Sequence, residues 1–343
     1  MKKTLLLTTA LIGNLLIGSV QAQTTITGEL KMAYKSIEGF SNAAKLNGFT
    51  SERQINFASK GKLNNGLDYA AGFSLEAEDA AVIDGTEGNY FNLILGNTIV
   101  TLGMDHILNG DYAIVPRAGA PINEQIANLG GTAVRNDSRA GLQYSQGLGD
   151  NNEHMGIGIM QTVPSVGRFA FNFVPKADDN ASPGDTKVPT AAGKSAYSMF
   201  FVGDLGVKGL QVALEKAGNE KNGTELSDQK VHALGASYTM GAFSLGAERQ
   251  KFTDVSKAKT QTTELGLTYN INNNASAGIG KIKTEGKTAA GASIANEEEI
   301  KYLQIGYNLG GFSTSFSAID TENAGFVTTQ DAKSYVLTIA TKF

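Results

Sequence analysis

From Thr24 to Phe343 apolar and polar residues alternate in short stretches, and the gaps between these stretches are alternately short and long. Leu265, Leu267, Tyr269 and Ile271 alternate with Glu264, Gly266, Thr268 and Asn270, and Leu303, Ile305 and Tyr307 with Tyr302, Gln304 and Gly306. Tyr335, Leu337 and Ile339 alternate with Ser334, Val336 and Thr338 in the same way. Successive side chains of a strand point to opposite faces, so each stretch predicts a strand with one apolar face and one face turned to water. The pattern predicts sixteen: 24–36, 51–61, 66–77, 89–95, 98–104, 137–146, 153–162, 194–203, 208–217, 229–239, 242–252, 260–271, 275–285, 298–308, 311–319 and 333–343.

The predicted tight connections are Asn64-Asn65-Gly66, Gly96-Asn97, 147–152, 204–207, Met240-Gly241, Asn272-Asn273-Asn274 and Gly310. Gly and Asn there accept the backbone conformations that tight hairpins require. The long connections are 37–50, 78–88, 105–136, 163–193, 218–228, 253–259, 286–297 and 320–332. A chain that winds up and down through a membrane leaves this mark, with short turns on one side and long loops on the other. The predicted fold is therefore all-β, a transmembrane antiparallel up-and-down β-barrel of sixteen strands. Arg168 to Val174 also alternates, which makes eighteen strands the competing count; the segment reads here as part of the fourth long loop. An even number of strands places both termini on the short-turn side. Tyr144, Tyr238, Tyr269 and Tyr307 fall near the ends of descending strands, and Phe243 and Phe312 open ascending ones, which predicts an aromatic girdle at one membrane surface.

Composition fits a closed barrel. No apolar run approaches the ~20 residues a spanning helix needs, and a bilayer protein without such helices must satisfy its backbone by closing a sheet. Residues 1–22 read as a cleaved export signal: Lys2 and Lys3, a largely apolar stretch from Leu5 to Leu16, and small residues around Val20-Gln21-Ala22. Without Lys2 and Lys3 the chain carries 27 basic residues against 33 acidic ones, a net charge of −6 with no basic patch to receive nucleic acid. There is no cysteine, hence neither a disulfide framework nor a thiolate metal site.

Two stretches carry a family resemblance. Asn56-Phe57-Ala58-Ser59 followed by Leu63-Asn64-Asn65-Gly66-Leu67, and the hairpin from Tyr90 to Gly103, resemble the Gram-negative porins, especially the general and alphaproteobacterial type. The terminal YVLTIATKF ends in phenylalanine, as these barrels do. The resemblance implies an outer-membrane homotrimer, surrounded by outer-membrane lipid and lipopolysaccharide, that passes small hydrophilic solutes and ions by passive diffusion. It also implies that Phe343 is read by the barrel-assembly machinery and that the third loop, 105–136, folds inward. No cofactor is implied.

If that loop narrows the lumen, its charges set the local field. Asp105, Asp111, Arg117 and Glu124 are the candidates, with His106 and Arg135 beside them. Inward-facing partners on the wall are Lys31, Lys35, Lys60 and Arg139, together with Glu29. Facing rows of fixed charge bias ion passage. Asp68, Glu76, Glu215, Glu248 and Glu264 make the remaining inward positions more acidic than basic, an expectation of mild cation preference. The acidic groups Glu76, Glu78 and Asp79, and Glu297-Glu298-Glu299, lack the spacing of a calcium loop and read as solvated acids. His106, His154 and His232 sit in no nucleophile motif, so an enzyme on the barrel wall is not expected. A channel-less alternative is an exported β-rich surface adhesin or layer protein, which would bury its apolar rows between sheets.

Overall fold

The computed structural model describes residues 23–39, 46–78, 85–104, 114–118, 155–174, 195–220, 228–254, 256–328 and 330–343. Sixteen strands form a single closed barrel: β1 (Gln23–Glu38), β2 (Leu46–Lys62), β3 (Asp68–Glu78), β4 (Gly85–Leu95), β5 (Thr98–Met104), β6 (Met155–Val163), β7 (Gly167–Val174), β8 (Ala196–Gly203), β9 (Leu210–Asn219), β10 (Gln229–Met240), β11 (Phe243–Thr253), β12 (Lys259–Asn270), β13 (Ala275–Lys287), β14 (Glu298–Asn308), β15 (Ser313–Glu322) and β16 (Ala332–Lys342). Each strand pairs antiparallel with its neighbours in sequence, and β1 closes the sheet on β16 through partners such as Lys31↔Ala340 and Tyr34↔Leu337. Closure leaves no unpaired sheet edge, the condition for a strand-built structure in lipid.

The strand count agrees with the sequence pattern, but its membership differs. Arg168 to Val174, read as loop, lies in β7. This segment pairs on one edge with β6 (Ile159↔Phe171) and on the other with β8 (Phe171↔Met199). The predicted strand 137–146 lies outside the described residues, and β5 pairs directly with β6 through Met104↔Met155 and Thr98↔Gln161. β5 and β6 are therefore neighbours in the wall. The tight turn that follows is Pro164-Ser165-Val166, where the Val166 N–H donates to the Val163 carbonyl at 3.0 Å. Phe169, Phe171 and Phe173 face outward from β7 while Ala170 and Asn172 face in, so its alternation is that of a wall strand.

The short turns share one device. Asn65, Asp204, Asn272 and Asn308 each turn Oδ1 back to accept a backbone N–H two residues on, from Leu67, Gly206, Asn274 and Gly310. The side chain thereby replaces a backbone acceptor in the turn. Gly66 and Gly310 have φ of 85° each, a left-handed conformation that a side chain would strain.

Burial is inverted relative to a water-soluble protein. Leu234, Leu245, Leu265, Ile279, Leu303 and Leu337 stand exposed on the outside, Leu245 at 61%, whereas Gln304 and Ser317 on the inside are wholly buried. Every apolar row named from the sequence faces out, and its polar counterpart faces in. Tyr238, Tyr269, Tyr307, Phe243 and Phe312 lie exposed at the short-turn end, with the Phe243 and Tyr269 rings 4.7 Å apart; Tyr144 lies outside the described residues. The inner face is not uniformly polar. Ile282, Ile300, Tyr302, Ile319, Ala332 and Val336 form one buried cluster inside the barrel, and Ala170, Phe200, Val202, Ala213 and Ala233 form another with Ile114.

Candidate functional site

Ile114, which joins the second cluster, belongs to a described segment of the third connection. Residues 114–118 run inside the barrel across β10 to β14, and Ile114, Val115 and Ala118 are all buried there. The wall makes room for them with glycines at inward positions. A Cβ on Gly235 would stand 2.8 Å from Ile114 Cγ2, one on Gly246 2.5 Å from Pro116 Cδ, and one on Gly266 2.5 Å from Val115 Cγ1. Further along, Gly278 would meet Ala118 Cβ at 3.2 Å, and Gly306 lies directly under the Ala118 carbonyl. Five adjacent strands thus carry a glycine trough in which the segment lies. Its sequence signal is glycine at water-facing positions of alternating strands, a signal that the sequence reading did not use.

One ion pair fixes the segment to the wall. Arg117 Nη2 donates to both carboxylate oxygens of Glu264, at 2.8 and 2.9 Å, and the Tyr302 hydroxyl donates to Glu264 Oε1 at 3.0 Å. Both charged side chains are more than nine-tenths buried. Burial alone would lower the Arg117 pKa; the adjacent Glu264 carboxylate outweighs it, so the guanidinium holds its proton above the ordinary value. Glu248, buried on β11, is the cross-strand register partner of Glu264, so a second inward acid lies beside the pair. Loss of that guanidinium would leave buried charge without compensation, which costs about 3–5 kcal/mol in comparable pairs.

The other predicted site residues distribute unevenly. Asp105, Asp111, Glu124 and Arg139 lie outside the described residues, as do His106 and Arg135. Lys31 faces inward on β1, its Nζ 2.9 Å from Glu52 Oε1 and 3.9 Å from Glu29 Oε1; Glu29 also receives Lys342 at 3.1 Å. Lys35 stands four residues further along β1 beside Gly48 and Val336, and Lys60 lies exposed near the short-turn end of β2, opposite Gln23. Lys31 and Ala118 border the same cavity, so β1 and the inward segment face one space. Of the acids, Glu297 pairs with Lys283 at 2.7 Å and Glu299 with Lys281 at 2.7 Å, while buried Glu298 accepts the Gly325 N–H at 2.7 Å. Among the described residues no group of three metal-ligating side chains converges.

A closed sixteen-strand barrel with an apolar exterior and a polypeptide segment docked on its inner wall defines a membrane channel. The sequence matches the family model described as Gram-negative porin over residues 8–311, and the chain belongs to that family. It is an outer-membrane porin, whose barrel encloses a water-filled path for small hydrophilic solutes and ions. Family and fold indicate a channel rather than an enzyme and do not favour the adhesin reading. Among solved structures the fold is similar to the anion-selective porin of Comamonas acidovorans, with a TM-score of 0.63 at 12% identity, covering 94% of this chain and 100% of that one. It is similar also to the trimer form of OmpT from Vibrio cholerae (TM-score 0.63, 12% identity, 94% and 99% covered) and to an engineered mutant of Rhodobacter blastica porin (0.61, 12%, 93% and 100%). A search of curated proteins returned no match.

Proposed function

We propose that the third connection, through residues 114–118, narrows the lumen and sets which solutes pass. The observation that carries this reading is the Arg117–Glu264 pair over the glycine trough: a buried charge pair and five side-chain-free positions hold loop backbone against the wall. Solutes cross by diffusion between this segment and the facing wall of β1 and β2, where Lys31, Glu29 and Glu52 supply fixed charge. Charges within about 8–10 Å of a passing ion act strongly at physiological salt, and the inward acids Glu76 and Glu215 support a mild preference for cations.

The working form in this reading is a homotrimer in the outer membrane, in contact with lipid and lipopolysaccharide, after residues 1–22 direct export. Phe343 serves as the signal to the barrel-assembly machinery. Protein added to a planar bilayer gives stepwise conductance, and Arg117→Met raises the step size as the segment leaves the trough. Silent bilayers with folded protein would overturn the channel; unchanged steps in Arg117→Met would overturn the role of the segment.

A further inference from the structure

Below the docked segment, towards the short-turn end, the inner wall forms a cavity of about 410 Å³, within the range of small-molecule sites. Its lining follows from strand register. One row runs Ser276↔Gly306, Gly306↔Ser315 and Ser315↔Thr338 across β13 to β16. The next, nearer the turns, runs Asn308↔Ser313 and Ser313↔Ala340, then Ala340↔Lys31. Ala118 roofs the space over Gly306, and Asn270 closes the side at the end of β12.

Most residues of this lining carry a hydroxyl or an amide, and Lys31 is the single charged side chain among the described residues that form it. Lys31 is already paired with Glu52 at 2.9 Å. An ion entering such a crevice loses hydration without finding an unpaired counter-charge. A polyol loses less, because each hydroxyl and carboxamide of the wall both donates and accepts. Ala340, beside Ser313, keeps the floor low on the side of the cavity that Ala118 leaves open.

The geometry points to a binding subsite for neutral polyhydroxylated solutes of about monosaccharide size, on the exit side of the docked segment. This rests on the channel reading and adds a substrate class to it. A polyol leaving the narrowest region pauses on the Ser276, Ser315 and Thr338 hydroxyls before release.

The test is glucose titrated from the short-turn side against channels in a planar bilayer, with block read as a fraction of each channel's own open current. Wild-type current falls saturably with glucose and hardly responds to gluconate, and Ser276→Ala/Thr338→Val weakens glucose block about tenfold, the loss of two ordinary hydrogen bonds. Three results would overturn the subsite: a current that only tracks solution conductivity, equal fractional block in the double variant, or stronger block by gluconate. Saturation-transfer NMR with glucose on the folded protein in detergent separates the two readings. Glucose contact in wild type that is lost in the double variant supports the subsite even where bilayers stay silent, and silent bilayers count against the channel alone.

Discussion

Arg117 Nη2 lies 2.8 Å from Glu264 Oε1 and 2.9 Å from Oε2, joining a loop residue to a wall strand 147 positions further along the chain. Both groups are buried, so each depends on the other for its charge. The pair therefore acts as an all-or-none anchor rather than a surface contact worth a few tenths of a kcal/mol.

Arg117→Met should unseat residues 114–118, at a cost of about 3–5 kcal/mol to the docked arrangement. Arg117→Met/Glu264→Met should recover most of that loss, because an apolar pair of similar volume leaves no buried charge. Single-channel conductance and protease susceptibility of the third connection across the double-mutant cycle measure the coupling. Additive effects of the two substitutions would show that the pair is not the anchor.

Gly306→Val places a branched side chain under the Ala118 carbonyl, and Gly266→Val does so against Val115. Overpacking of this kind costs about 1–3 kcal/mol. It falls on the loop rather than the barrel, since the loop is the partner able to move. The expected result is an intact β-sheet spectrum with a larger single-channel step.

Leu267 faces out from β12 and Thr268 faces in. Leu267→Arg should cost about 2–4 kcal/mol if it meets the bilayer midplane and so reduce the folded fraction in urea titrations from lipid vesicles. Thr268→Arg should assemble, with its head displacing the docked segment and altering ion selectivity. Equal tolerance at both positions would reverse the assigned facing.

Phe343 exchanges backbone hydrogen bonds with Gly28, Gly28 N–H to the Phe343 carbonyl at 2.6 Å and Phe343 N–H to the Gly28 carbonyl at 2.9 Å, while its ring remains largely exposed. Phe343→Ala keeps both backbone bonds. Refolding in detergent should be unchanged, while the folded yield in the outer membrane drops. A parallel loss in both assays would assign the ring to stability instead of recognition.

Glu76→Gln/Glu215→Gln removes two inward carboxylates and leaves Arg117 paired with Glu264. Reversal potentials in a salt gradient should move toward anion preference. An unmoved potential would place the selective charges elsewhere on the lumen.

Facing was legible from the chain because a strand's side chains alternate with a period of two, so Leu265 and Glu264 could only lie on opposite sides of a paired sheet. Turn positions were legible for the same local reason: Asn65-Gly66 and Asn308 with Gly310 carry the side-chain acceptor and the permissive backbone within a few residues. Strand membership was less so. The stretch 168–174 alternates, but alternation does not reveal whether a stretch has partners on both edges; Phe171 finds Ile159 on one side and Met199 on the other.

The sequence by itself determined an all-β membrane barrel and its outward and inward rows. The barrel's closure decided the rest. It set Glu264 and Tyr302 beside Arg117, aligned glycines of five strands into one trough, and brought Lys31 of the first strand to the cavity bordered by Ala118. These contacts join residues far apart in the chain, and no local pattern encodes them, because their energy exists only once strand register has fixed which side chains share a level.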